Sequence, residues 1–172
     1  LRWPGLLPKK RWLLWAALGQ LWPAPWPALS PVPAITKGPA LHYAPSFSKD
    51  GRFLLYVSWT DKQGGHIWKR SVTADGTLGK TEKITTIASQ YINPVFSPAG
   101  HSISYIRSSG AWARGLSMGS QPWLELRWRS LKNGNDHLVT RIRNRGALSR
   151  DPLPQFSIDG KRLFLTRRSY KG

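Results

Sequence analysis

Residues 45–57 read P-S-F-S-K-D-G-R-F-L-L-Y-V, and the run comes back twice, as P-V-F-S-P-A-G-H-S-I-S-Y-I at 94–106 and P-Q-F-S-I-D-G-K-R-L-F-L at 154–165. Each copy is Pro-x-Phe-Ser-x-Asp/Ala-Gly followed by a short apolar run. Its fixed points are Pro45, Phe47, Asp50 and Gly51, then Pro94, Phe96 and Gly100, then Pro154, Phe156, Asp159 and Gly160. The three Phe residues lie 49 and 60 residues apart, a period that signals a propeller or a similar array of strands. Within a copy, the Phe-Ser pair ends one strand, the x-Asp-Gly turn reverses the chain, and the apolar run returns. Gly51 supplies the positive φ of a tight turn, and the Asp50 carboxylate can bond to the backbone beside it. Ala99 stands where the second copy would carry Asp, so that turn keeps Gly100 and loses the side-chain cap.

Around the copies the chain reads as short strands joined by turns, with no helical period. Residues 43–87 predict one four-stranded antiparallel blade, with strands at 43–48, 53–58, 66–72 and 80–87. Residues 91–142 predict a second, with a Gly-rich loop over 108–122, and residues 153–166 predict half of a third. Propellers close with about four to eight blades, so two and a half blades read as a fragment of a longer chain. The predicted fold class is therefore all-β: antiparallel four-stranded propeller blades over residues 35–172.

Residues 1–34 precede the blades. Lys9, Lys10 and Arg11 stand before W-L-L-W-A-A-L-G-Q-L-W at 12–22 and a Pro-rich stretch. This order matches a secretory signal, and the apolar core is well short of the roughly 20 residues needed to span a bilayer. The expectation is an exported, periplasmic or otherwise extracytoplasmic protein with no transmembrane span.

Composition narrows the chemistry. The chain has 172 residues, no cysteine, ten tryptophans and a net charge of +18. With no thiol there is neither a disulfide nor a thiolate metal site. The four histidines, His42, His66, His101 and His137, lack metal-ligand spacing. Gly115-Leu116-Ser117-Met118-Gly119 matches G-x-S-x-G, yet a nucleophile elbow needs a strand before it and a helix after it, and neither is predicted. No catalytic, cofactor or metal residue is assigned. The remaining constellation is basic and aromatic. Arg141, Arg143 and Arg145 alternate, which on a strand puts them on one face, and Trp112 and Arg114 lie in the preceding loop. Such residues suit an anionic or peptide ligand. Nucleic acid is not an expected partner, because no nucleic-acid motif accompanies the charge.

The Pro-x-Phe-Ser-x-Asp-Gly-Arg/Lys-x-apolar copies resemble the TolB-like β-propeller repeat over about residues 43–166. They lack the Gly-His and Trp-Asp marks of WD-repeat propellers. Blades that follow a signal almost at once look more like the N-terminal propeller of exported propeller–amidohydrolases than like TolB itself. The resemblance implies a non-catalytic module of an exported protein, binding a protein, a peptide or the missing remainder of its own chain. The alternative it implies is the accessory propeller of a hydrolase, an amidohydrolase or a prolyl-oligopeptidase-like peptidase, with its catalytic domain elsewhere. No residue of such a catalytic domain is present to carry over.

Overall fold

The computed structural model describes residues 2–7, 12–25, 32–73, 77–110, 123–143 and 152–166. Among these residues there are thirteen strands and no helix. They form four antiparallel sheets in chain order. The first is β1 (Arg2–Leu7), β2 (Trp12–Ala17) and β3 (Gln20–Pro25). The second is β4 (Leu41–Phe47), β5 (Phe53–Thr60), β6 (Gly64–Val72) and β7 (Leu78–Lys83). The third is β8 (Gln90–Phe96), β9 (Ser102–Ser108), β10 (Trp123–Ser130) and β11 (Asp136–Arg143). The fourth is the hairpin β12 (Leu153–Phe156) and β13 (Leu163–Thr166). Each strand pairs with the next in sequence, so every sheet is a meander. The ten strands expected between residues 43 and 166 are all present, with ends shifted by a few residues.

The sheets stack face to face, as blades do. The sequence of β5, F-L-L-Y-V-S-W-T, is apolar at successive positions because both of its faces are covered. Leu54 and Tyr56 pack with Leu14, Ala16 and Leu21 of the first sheet. Leu55 and Val57 point the other way and pack with Tyr91, Phe96, Ile103 and Tyr105 of the third. A third cluster joins Ile92, Ile106, Leu124, Leu126 and Ile142 to Leu163 and Leu165 of the last hairpin. Burying one such side chain contributes about 1.5–3 kcal/mol, so the three clusters hold the sheets together.

The leading strands share a defect. The register of β4 skips between Tyr43 and Ser46, and that of β8 between Ile92 and Val95. Ala44 (φ 51°) and Asn93 (φ 47°) take left-handed backbone there, and the proline of the motif follows each. The result is a bulge, which sharpens the local twist. In β1 the register skips between Arg2 and Gly5, around Pro4.

That coincidence aligns a fourth copy. In sequence, residues 4–16, P-G-L-L-P-K-K-R-W-L-L-W-A, align without a gap with P-S-F-S-K-D-G-R-F-L-L-Y-V of 45–57. The proline, the arginine and the aromatic-Leu-Leu-aromatic run match, while the Asp-Gly turn is lost. The stretch expected as the apolar core of an export signal is thus folded as the hairpin β2–β3, with Leu14, Ala16, Leu21 and Ala24 buried. A three-stranded sheet stands ahead of the first expected blade.

The outer edge of β3 is closed chemically. Leu21 N–H donates to Thr36 Oγ1 at 3.0 Å, and Ile35 N–H donates to Leu21 O at 2.9 Å. The next outward positions on the strand are Pro23 and Pro25, which have no N–H to offer another strand.

Candidate functional site

The turn of the repeat is a closed hydrogen-bond clasp. Ser48 Oγ donates to Asp50 Oδ1 at 2.7 Å and accepts from Phe53 N–H at 3.0 Å. Arg52 N–H donates to the same Asp50 oxygen at 3.0 Å. Gly51 (φ 74°) turns the chain as the sequence requires. Ser157, Asp159 and Arg162 reproduce the clasp in the last hairpin. In the second copy Ser97 Oγ still accepts from Ser102 N–H at 3.2 Å, but Ala99 offers nothing. The Ser48 hydroxyl, helped by Arg52 N–H, holds the Asp50 carboxyl down at about 2. Asp159 is lowered too, chiefly by the Ser157 hydroxyl.

Pro45, Pro94 and Pro154 are buried. Of the three motif rings only Phe96 is buried; Phe47 and Phe156 are half-buried. Phe96 sits in the cluster between two complete blades, whereas Phe47 packs at the margin of the cluster shared with the three-stranded sheet.

The basic constellation lies on the third blade. Arg141 pairs in register with Glu125, and Arg143 with Trp123, so the two arginines share a face of β11 as the alternation predicts. Both are exposed. Trp112, Arg114 and Arg145 fall outside the described residues, as does the G-x-S-x-G stretch. Behind Arg141 runs an ionic ladder that the sequence did not announce. Glu125 accepts from Arg107 at 2.6 Å and from Arg127 at 3.0 Å. Asp136 accepts from Arg127 at 2.8 Å, from Arg129 at 3.3 Å and from the Tyr105 hydroxyl. Burial would raise the Asp136 carboxyl, but the Tyr105 hydroxyl and the Arg127 guanidinium keep it below its ordinary range. Burial, reinforced by the adjacent carboxylate, pushes the Tyr105 phenol strongly upward. Glu125 and Asp136 thus pair with Arg107, Arg127 and Arg129, and among the described residues no carboxylate pairs with Arg141 or Arg143.

A second feature is a cavity of about 610 Å³ on the second blade. Cross-strand register builds its floor in rows: Tyr56, Trp68 and Lys83 in one, His42, Ser58 and His66 in the next. Trp68 Nε1 donates to Ser58 Oγ at 2.7 Å, and Lys83 Nζ lies 5.7 Å from the Trp68 ring centre. His66 Nδ1 is 3.1 Å from Thr85 O. A carbonyl can only accept, so the neutral ring carries its proton on Nδ1 and leaves Nε2 as an acceptor. Burial lowers the pKa of both His42 and His66, and the Lys83 charge lowers His66 further. Sequence reasoning missed this cavity because its residues come from three strands and share no local motif. Among the described residues no cluster of His and acidic side chains suits a metal ion.

No family model matches the chain, and no curated protein matches it. Solved structures do. A protein assigned as TolB from Agrobacterium tumefaciens superposes with a TM-score of 0.73 at 18% identity, over 99% of this chain and 58% of that one. TolB from Acinetobacter baumannii gives 0.64 at 19% identity, over 96% of this chain and 37% of that one. An oligogalacturonate lyase in complex with manganese gives 0.58 at 15% identity, over 93% and 43%. The chain spans less than two thirds of the length of each of these proteins. With its stacked four-stranded meanders and its repeated Ser-Asp-Gly clasp, it has the fold of a TolB-like β-propeller and builds part of such a ring.

Proposed function

We propose that the chain is a non-catalytic propeller module that holds a protein or peptide partner, with Arg141 and Arg143 of β11 as the contacts for acidic side chains. The observation that carries this reading is the division of charge on the third blade. Three arginines are consumed by Glu125 and Asp136, while the two on the outermost strand stay exposed. Among the described residues that strand is also the edge of its sheet, to which an extended segment can add, and it exposes Leu138 and Val139 beside the arginines.

Fluorescence anisotropy with a labelled acidic peptide tests the proposal. Binding is expected at low salt, weakening as salt rises, and an R141A/R143A pair is expected to lose about tenfold. No binding at low salt, or a double variant that binds as well as the parent, removes the reading. A DNA duplex of equal charge serves as the competitor: a stronger grip on DNA would turn the proposal toward nucleic acid.

Residues 2–25 have two exclusive uses, as a cleaved export signal or as the first blade of the mature protein. We favour the blade, because Leu14, Ala16 and Leu21 cover Leu54 and Tyr56. A place outside the cytoplasm remains part of the proposal, supported by a cysteine-free composition that tolerates an oxidising compartment. Intact mass of the protein recovered from cell fractions decides both points. A mature chain lacking residues 1–34 would overturn the blade reading, and recovery only from the cytoplasm would overturn the location.

A further inference from the structure

We propose that the cavity on the second blade binds an acidic saccharide, a sugar chain carrying carboxylates. The cavity opens because the first sheet covers only one end of this face. Leu14, Ala16 and Leu21 pack over Leu54 and Val72. The other end, toward the β5–β6 hairpin, is left to Ser58, Thr60, Gly64 and His66. The lining combines what a sugar needs. Trp68 offers an apolar ring, backed by its buried cross-strand neighbour Tyr56. Trp68 has already placed its N–H on Ser58, so its ring is oriented and its polar edge is satisfied.

Hydroxyl groups have partners around these rings. Ser58, Thr60, Thr81 and Gln63 each both donate and accept, and His66 Nε2 accepts. A few convergent polar groups around an apolar floor is the pattern of a small-molecule site. Charge selects the acid. No carboxylate is among the lining residues. Glu82, next to Lys83 in sequence, is drawn to the opposite face by Lys69 at 2.7 Å. The Lys83 ammonium therefore faces the cavity without a counter-charge among the described residues. Because burial and Lys83 both keep His66 neutral near pH 7, Lys83 is the cation that meets a uronate carboxylate.

This proposal does not depend on the peptide contact at Arg141 and Arg143. Isothermal titration at pH 7 and low salt, with a three-unit uronic acid oligosaccharide and with maltotriose, tests it. The uronate is expected to bind at least tenfold more tightly than the neutral sugar. K83M is expected to abolish that preference, and W68F to weaken both sugars several-fold. R141A/R143A is expected to leave both unchanged. Lys83 is exposed, so K83M tests the site even if changes at Trp68 disturb packing, with circular dichroism as the check on folding. No binding of either sugar, or equal uronate binding by K83M and the parent, overturns the proposal. Maltotriose bound as tightly as the uronate overturns the selection for acid.

Discussion

Asn93 Nδ2 donates to Pro152 O at 3.0 Å across 59 residues of sequence, with both groups buried. This bond fastens the leading strand of the third blade to the segment that starts the next hairpin. Asn93 also occupies the left-handed backbone of the bulge (φ 47°), a conformation that costs Asn less than Ala, although Ala44 adopts it in the preceding sheet (φ 51°). Asn93→Ala therefore strands the Pro152 carbonyl and strains the backbone, for a total of about 2–4 kcal/mol. Asn93→Gly keeps the backbone easy and loses only the bond, so it is expected to cost less. Urea unfolding of the two variants checks the order; equal costs would show that the hydrogen bond alone matters.

The Asp50 clasp makes part of the stability depend on pH. Its carboxyl titrates at about 2 in the folded chain, below the unfolded value near 4. Its contribution is thus fully present above that unfolded value and is lost as pH falls toward 2. Asp50 is half-exposed, so the contribution is expected to stay below about 1 kcal/mol. The gap in urea midpoint between the parent and Asp50→Ala should be present at pH 6 and shrink steadily between pH 4 and 2. A gap constant over that range would place the effect in the turn backbone rather than in the charge.

Ala99→Asp restores the clasp where the repeat has lost it. Ser97 and Gly100 (φ 73°) already hold the required geometry, and Ala99 is exposed. The expected gain is about 0.5–1 kcal/mol, read as a higher melting temperature. A lower one would mean that Pro98 prevents the carboxylate from reaching the Ser97 hydroxyl.

Arg127 bridges the two carboxylates of the third blade, 3.0 Å from Glu125 and 2.8 Å from Asp136. Arg127→Ala leaves both partly buried acids short of a partner, at an expected cost of about 1.5–3 kcal/mol. Arg141→Ala, with no carboxylate partner among the described residues, is expected to cost less than about 0.5 kcal/mol. Thermal melts of both variants separate the structural arginine from the exposed one.

The repeat made most of the fold legible. Pro45, Phe47, Asp50 and Gly51 encode a hairpin within a few residues, and that local chemistry survives translation to residues 94 and 154. The first sheet was hidden because its copy lost the Asp-Gly turn, and Trp12 to Trp22 carries the apolar run that a signal also carries. The cavity and the ionic ladder were hidden for another reason. Tyr56, Trp68 and Lys83, or Arg107 with Glu125 and Arg129 with Asp136, meet only through strand register, which the spacing of residues does not state. Arg141 and Arg143 could be read in advance, since a two-residue period decides their common face.

Removing residues 1–34 tests the first sheet directly. The deletion uncovers Leu54, Tyr56 and Val72, which pack against Leu14, Ala16 and Leu21. The shortened chain is expected to lose its cooperative melt or to self-associate, followed by circular dichroism and light scattering. A monomer that melts like the parent would show that the first sheet contributes nothing to the second.

The meander order β4-β5-β6-β7, repeated as β8-β9-β10-β11, has a consequence in time. Every strand finds its neighbour next along the chain, so the second sheet closes only short loops, while the third must also close the long connection from β9 to β10. Single hairpins form in about 1–10 μs. The Ser48–Asp50 and Ser157–Asp159 clasps can close on that scale, before any two sheets have met. Docking of sheet on sheet is expected to set the rate, with the long link from Asn93 to Pro152 closing after it. Substitutions in the clasps should therefore slow folding, and substitutions at Asn93 should chiefly speed unfolding.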